Sequence, residues 1–163
     1  MILCIEQHLF TIGDRFSILD TDGRTKYLAE GEIFTFGKKL HLYHASPDGE
    51  AGEECAFIAQ ELFCFRPHYT VELAEPAGTF TVIKEFEFFT QYYSVPERGW
   101  EITGDFFDHD YTVMQDGATA AEVSKEWFTF GDCYTVRAED DADALAVLCV
   151  ALVIDCMDEQ RSN

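Results

Sequence analysis

Apolar and polar residues alternate in paired short runs along most of the chain, and one phrase recurs. KEWFTFGDCYTV spans Lys125 to Val136. QHLFTIGDRFSI (Gln7 to Ile18), GEIFTFGKKLHL (Gly31 to Leu42) and QELFCFRPHYTV (Gln60 to Val71) repeat it, and KEFEFFTQYYSV (Lys84 to Val95) and GDFFDHDYTV (Gly104 to Val113) are looser copies. Each copy holds an apolar-aromatic stretch, a break at Gly or a polar residue, and then an alternation such as Tyr-Thr-Val. Phe10, Phe34, Phe63, Phe107 and Phe128 occupy equivalent places, with Phe86 to Phe89 filling that slot in the fourth copy. Period-2 alternation rich in Val, Ile, Phe, Tyr and Thr marks half-buried strands, so each phrase reads as two strands joined by a short loop.

A second punctuation separates the phrases. Asp22-Gly23, Asp48-Gly49 and Asp116-Gly117 favour the two-residue hairpin turns that need positive φ. Pro76-Ala77-Gly78 and Pro96-Glu97-Arg98-Gly99 fill the other two gaps. The pattern predicts twelve strands, at 2–10, 14–20, 25–34, 38–44, 55–63, 68–74, 79–89, 91–95, 100–107, 110–115, 119–129 and 133–138. Every connection is short, so strands consecutive in the chain should pair antiparallel.

The pattern then changes. Ala142 to Met157, ADALAVLCVALVIDCM, lacks turn residues and is apolar on every face. It predicts a helix over about 141–158, with Asp140, Asp141 and Asp143 at the end where a cap and the helix dipole favour acids. A helix apolar all round must be enclosed on all sides. It is too short for a membrane span of about 20 apolar residues, and Asp155 interrupts it. A sheet closed around the helix satisfies these constraints, because a barrel of about eleven strands already holds a central helix. The expected fold is a single all-β domain over 1–163, a twelve-stranded antiparallel barrel around a buried C-terminal helix. On this reading the aromatic alternation forms the inner face that grips the helix.

Composition adds one strong constraint. The chain has 163 residues, with 31 acidic against 11 basic side chains, a net charge of −20. Such a field repels nucleic-acid phosphates and anionic lipid. Of the six cysteines none forms a C-x-x-C pair, which leaves zinc-ribbon and thioredoxin-like sites unsupported. The N-terminal MILCIEQHLF lacks the basic and apolar regions of a secretory signal. These features read as a reduced, cytoplasmic protein.

The phrases QHLFTIGDRFSILDTDG, EGEIFTFGKKLHLY, GWEITGDFFDHDY and SKEWFTFGDCYTV, followed by the acidic run into ALAVLCVALVID, resemble the LURP-one-related family, in particular its short bacterial members. That family lies within the tubby C-terminal-like superfamily and is related to phospholipid scramblases. The resemblance covers essentially the whole chain and implies the same barrel around a C-terminal helix. It implies two candidate roles, binding of a phosphoinositide-like headgroup through surface Lys and Arg, or scramblase-like phospholipid handling.

Candidate sites follow from the barrel. The loops inside the phrases gather at one rim and the Asp-Gly turns at the other. The first rim receives Arg15, Lys38, Lys39 and Arg66, which form a candidate anion site. It also receives Asp108, His109, Asp110 and Asp132 as an acidic sector. Glu139, Asp140, Asp141 and Asp143 offer oxygen ligands for calcium but lack the spacing of a calcium loop, and read as caps. Asp155 is expected near the loop rim, accepting hydrogen bonds from the barrel wall, since a buried carboxylate needs partners. His8, His41, His44, His68 and His109 form no metal template, and no nucleophile or phosphate-loop motif is present. The expectation is a non-catalytic binding or regulatory module with no cofactor or metal, whose ligand is a protein or an anionic headgroup, with lipid handling as the alternative.

Overall fold

The computed structural model of the chain describes residues 1–6, 15–33, 35–74, 78–125 and 133–162. Among them twelve strands form one closed antiparallel barrel: β1 (Ile2–Glu6), β2 (Arg15–Leu19), β3 (Thr25–Gly31), β4 (Lys39–Ala45), β5 (Ala51–Gln60), β6 (His68–Leu73), β7 (Thr79–Glu87), β8 (Thr90–Val95), β9 (Trp100–Asp105), β10 (Asp110–Gln115), β11 (Ala118–Ser124) and β12 (Cys133–Ala138). Consecutive strands pair with one another. β1 closes the ring on β12, with Ile2 opposite Arg137 and Glu6 opposite Cys133.

The alternation sets which face points inward. Phe16 and Ile18 on β2, Tyr69 and Val71 on β6, Tyr93 and Val95 on β8, Tyr111 and Val113 on β10, and Tyr134 and Val136 on β12 are all buried. They surround α1 (Ala144–Ser162), and from Ala146 to Ile154 every residue is at most 1 % exposed. Nine consecutive enclosed positions mean that no face of the helix meets water, which is why its sequence shows no polar stripe.

The acids before α1 have work in the fold. The Asp140 carboxylate accepts from the Ala142 N–H at 2.9 Å and caps a 3-10 turn over Asp141–Asp143. The Met1 ammonium donates to Asp141 Oδ1 at 2.7 Å and to the Ala138 carbonyl at 3.1 Å. That ammonium holds the Asp141 carboxyl below its ordinary range. Arg98 donates to Asp143 at 3.1 Å while its guanidinium lies over the rings of Phe80 and Trp100.

Three details depart from the expected pattern. The first strands of four phrases stop early, at Gly31, Gln60, Glu87 and Asp105, so Phe63, Phe88, Phe89 and Phe107 fall in turns. Of the Asp-Gly pairs only Asp116-Gly117 makes a two-residue turn, both residues at positive φ between Gln115 and its partner Ala118. Asp22-Gly23 sits instead in a longer loop, where Asp20 accepts from the N–H groups of Asp22 and Arg24. Asp48-Gly49 likewise lies inside a wider loop, closed by the Ser46 N–H donating to the Glu50 carbonyl and the Glu50 N–H donating to Ser46 Oγ. The expected positions Phe10, Phe34, Pro76, Ala77, Phe128 and Asp132 lie outside the described residues.

Candidate binding rim

The loops β3–β4, β5–β6, β7–β8 and β9–β10 lie at the end of the barrel opposite Met1 and the start of α1. Their apolar side chains face solvent. Ile33 and Phe36 stand on β3–β4, Leu62, Phe63 and Phe65 on β5–β6, Phe86, Phe88 and Phe89 at β7–β8, and Phe107 on β9–β10. Phe63, Phe65 and Phe89 are 105 %, 110 % and 111 % exposed, so nothing in the described fold covers them. These are all the large exposed hydrophobic residues among those described, and every one belongs to this rim.

Backbone geometry holds several of them there. Glu87 pairs with Thr90, so Phe88 and Phe89 alone form the β7–β8 turn, with φ of +46° and +72°. That turn type suits Asn-Gly, and a non-glycine residue in the left-handed region costs roughly 1–2 kcal/mol. Phe63 is also left-handed, at φ +60°. Burial compensates none of this cost.

Behind the crown the barrel mouth is closed by a polar-aromatic cluster. The β9–β10 turn tucks Phe106 inward against Tyr93 and Tyr111, with ring centroids 4.7 and 5.3 Å away. It also places His109, left-handed at φ +52°, over the end of α1. The Asp155 carboxylate accepts from His109 Nε2 at 2.9 Å and from the Tyr134 hydroxyl. The His109 and Tyr134 rings stack at 4.2 Å. Burial, with the Asp155 carboxylate nearby, pushes the Tyr134 and Tyr111 phenols well above their ordinary range. The wall donors expected for Asp155 are therefore Tyr134 on β12 and His109 on the turn. Gly104 makes the turn possible: a Cβ there would lie 2.5 Å from the Asp110 carbonyl oxygen.

The four basic residues sit on adjoining elements of the same rim. Arg15 opens β2 and donates to Glu30 on β3 at 3.0 Å. Lys39 opens β4, and just before it the Lys38 carbonyl accepts from the Gln60 N–H while the Lys38 N–H donates to Gln60 Oε1. Arg66, on β5–β6, grips both carboxylate oxygens of Glu85 at 2.7 and 2.9 Å. Both guanidinium groups thus already hold a carboxylate. Asp108, His109 and Asp110 share the β9–β10 end as expected, with Asp108 exposed and His109 turned into the mouth.

The model of the family described as LURP-one-related matches residues 1–155. The chain belongs to the LURP-one-related family. Uncharacterized protein YxjI of Bacillus subtilis (strain 168) is 26 % identical over 163 residues, covering 98 % of this chain and 97 % of YxjI. An X-ray structure of a protein from Arabidopsis thaliana superposes with a TM-score of 0.60 at 13 % identity, covering 96 % of this chain and 90 % of that one. That likeness shows the shared barrel-and-helix fold.

Within this LURP-one-related barrel one expectation about the repeat is corrected. The aromatic positions marked by Phe63, Phe86 to Phe89 and Phe107 do not grip the helix. They are exposed rim residues, and the helix is gripped by the Tyr-Thr-Val half of each phrase. The readable signal was in the fourth phrase, where a two-residue turn between alternating strands leaves two consecutive Phe at its tip. His41 was also missed. Its Nδ1 and Nε2 each contact a carboxylate at 2.7 Å, Glu54 and Glu32. Partial burial acts to lower its pKa, but the two carboxylate hydrogen bonds outweigh that and raise it.

Proposed function

We propose that the protein is a non-catalytic binding module that recognises its ligand at the loop rim. The observation that carries this is the row of solvent-facing Phe side chains held on left-handed turns at one end of the barrel. A fold rarely exposes contiguous apolar surface without a partner for it, and strained backbone gathers where function requires it. The filled lumen supports the non-catalytic reading, because α1 occupies the space in which a barrel of this size would enclose a substrate. Six cysteines outside any disulfide, five of them buried, fit a reducing cytoplasmic setting.

Arg15, Lys38, Lys39 and Arg66 give the rim a basic sector suited to an anionic group such as a phosphoinositide-like headgroup. To bind it, Arg15 and Arg66 would exchange Glu30 and Glu85 for the ligand. Scramblase-like phospholipid handling is the second reading, favoured by the position of the apolar side chains at one end. None of the described helices is long and apolar enough to cross a membrane.

Two measurements test the reading. Binding of an apolar fluorescent dye should fall in Phe63→Ser/Phe89→Ser with the melting temperature held or raised, and dye binding equal to wild type would overturn the rim assignment. A thermal-shift screen with inositol phosphates and phosphate should give a headgroup-specific shift lost in Arg15→Glu or Lys39→Glu. A flat screen would remove the anion site and leave the apolar rim.

A further inference from the structure

The crown does not repeat the charge of the basic sector. Phe88 and Phe89 follow Glu87, and Phe107 stands between Asp105 and Asp108, with Asp110 just beyond. Among the described residues none of these four carboxylates forms an ion pair. Of the cations on this side of the barrel, Arg66 is gripped by Glu85 and the Lys84 ammonium lies 5.7 Å from the Phe86 ring centre, while the exposed Lys125 follows β11 beside the β9–β10 turn without pairing with these acids. The loops β5–β6, β7–β8 and β9–β10 are consecutive around the barrel, because β5 to β10 pair in chain order. The result, among the described residues, is an apolar row bordered by four carboxylates outside any ion pair and a single exposed Lys, on a chain of net charge −20.

That combination selects the occupant. An anionic leaflet would meet like charge beside Phe88, Phe89 and Phe107, and a second copy of this chain would carry the same −20. A surface with apolar residues at its centre and Lys or Arg around them meets opposite charge at the border and apolar area in the middle. That is the usual anatomy of a protein interface. Building on the rim reading above, we propose that Phe63, Phe65, Phe88, Phe89 and Phe107 are the anchors of a docking surface for a basic amphipathic segment of a partner protein. The Phe side chains enter its apolar face, and Glu87, Asp105, Asp108 and Asp110 pair with its Lys and Arg. An amphipathic helix with a cationic polar face has this chemistry.

The probe is a labelled helical peptide with Leu and Phe on one face and Lys on the other, followed by fluorescence anisotropy. A second peptide has Glu in place of each Lys. The Lys peptide should bind the full chain and the Glu peptide should not. Affinity should fall at least about tenfold in Phe63→Ser/Phe89→Ser. It should also fall with added salt and in Glu87→Lys/Asp108→Lys, which leaves the Phe anchors in place. Equal binding by the charge-reversed variant, or by the Ser variant, overturns the proposal. So does sedimentation with phosphatidylcholine vesicles, or a concentration-dependent dimer, if either is lost in the Ser variant and the Lys peptide does not bind. The apolar dye separates the two levels. If the dye reports the crown but the Lys peptide fails, this assignment falls and the rim reading stands. If the dye does not distinguish wild type from the Ser variant, both fall.

Discussion

Tyr69 and Phe63 lie six residues apart in one phrase, QELFCFRPHYTV, and meet opposite fates. Tyr69 is 1 % exposed against the helix, whereas Phe63 is fully exposed on a left-handed turn. The contrast runs around the barrel: Tyr93 against Phe88 and Phe89, Tyr111 against Phe107. The inner wall uses aromatics as filling, where each buried ring contributes roughly 2–3 kcal/mol. The rim uses the same residue type where burial contributes nothing and the backbone is strained. Two regions of like composition therefore do different jobs, one holding the fold together and the other available to a partner.

Breaking the inner region should have the largest effect. Leu152 is fully buried in α1, so Leu152→Asp places a charge in the barrel centre at a cost of several kcal/mol. Loss of the cooperative melt is expected, and an unchanged melting temperature would contradict the central-helix packing. The boundary between the regions comes next. Asp155→Ala leaves the Tyr134 hydroxyl and His109 Nε2 without their acceptor, and a loss of about 1–3 kcal/mol is expected in urea unfolding.

His41 sharpens the comparison from the outer wall. Its folded-state pKa is raised above the ordinary 6.5. The folded state therefore binds more protons there than the unfolded chain. The stability that His41 contributes is fully present below pH 6.5 and is lost as pH rises through the raised folded value. His41→Gln should cost about 1–2 kcal/mol below pH 6.5, from loss of the charge-assisted bonds to Glu32 and Glu54. It should flatten the pH dependence of melting above that pH, and an unaltered pH profile would contradict the pairing.

The wall was legible in the sequence and the rim was only half so. Tyr-Thr-Val alternation placed β6, β10 and β12 to within a residue of their observed ends, and an all-round apolar run located the enclosed helix. Both are period signals, and burial acts on period. The direction of the Phe positions was not legible in the same way, because alternation ends where a turn begins and the phrase does not mark that point. Gly37 and the polar Arg66 look like the breaks in their phrases, yet the chain leaves the sheet several residues earlier, after Gly31 and Gln60. The basic residues were placed on the right rim by strand counting, but their carboxylate partners Glu30 and Glu85 come from cross-strand register. Asp155 was legible as an oddity, since an acid in a buried helix requires partners, while the identity of those partners depended on the left-handed turn at His109.

The most direct test of the difference between wall and rim is the β7–β8 turn. Phe88→Asn/Phe89→Gly installs residues suited to positive φ and removes two exposed rings. Denaturant unfolding and apolar-dye binding are then measured on the same sample. If these Phe serve recognition at the expense of the fold, stability rises by about 1 kcal/mol while dye binding falls. A fall in stability would contradict the account, because it would place Phe88 and Phe89 among the residues that hold the barrel together.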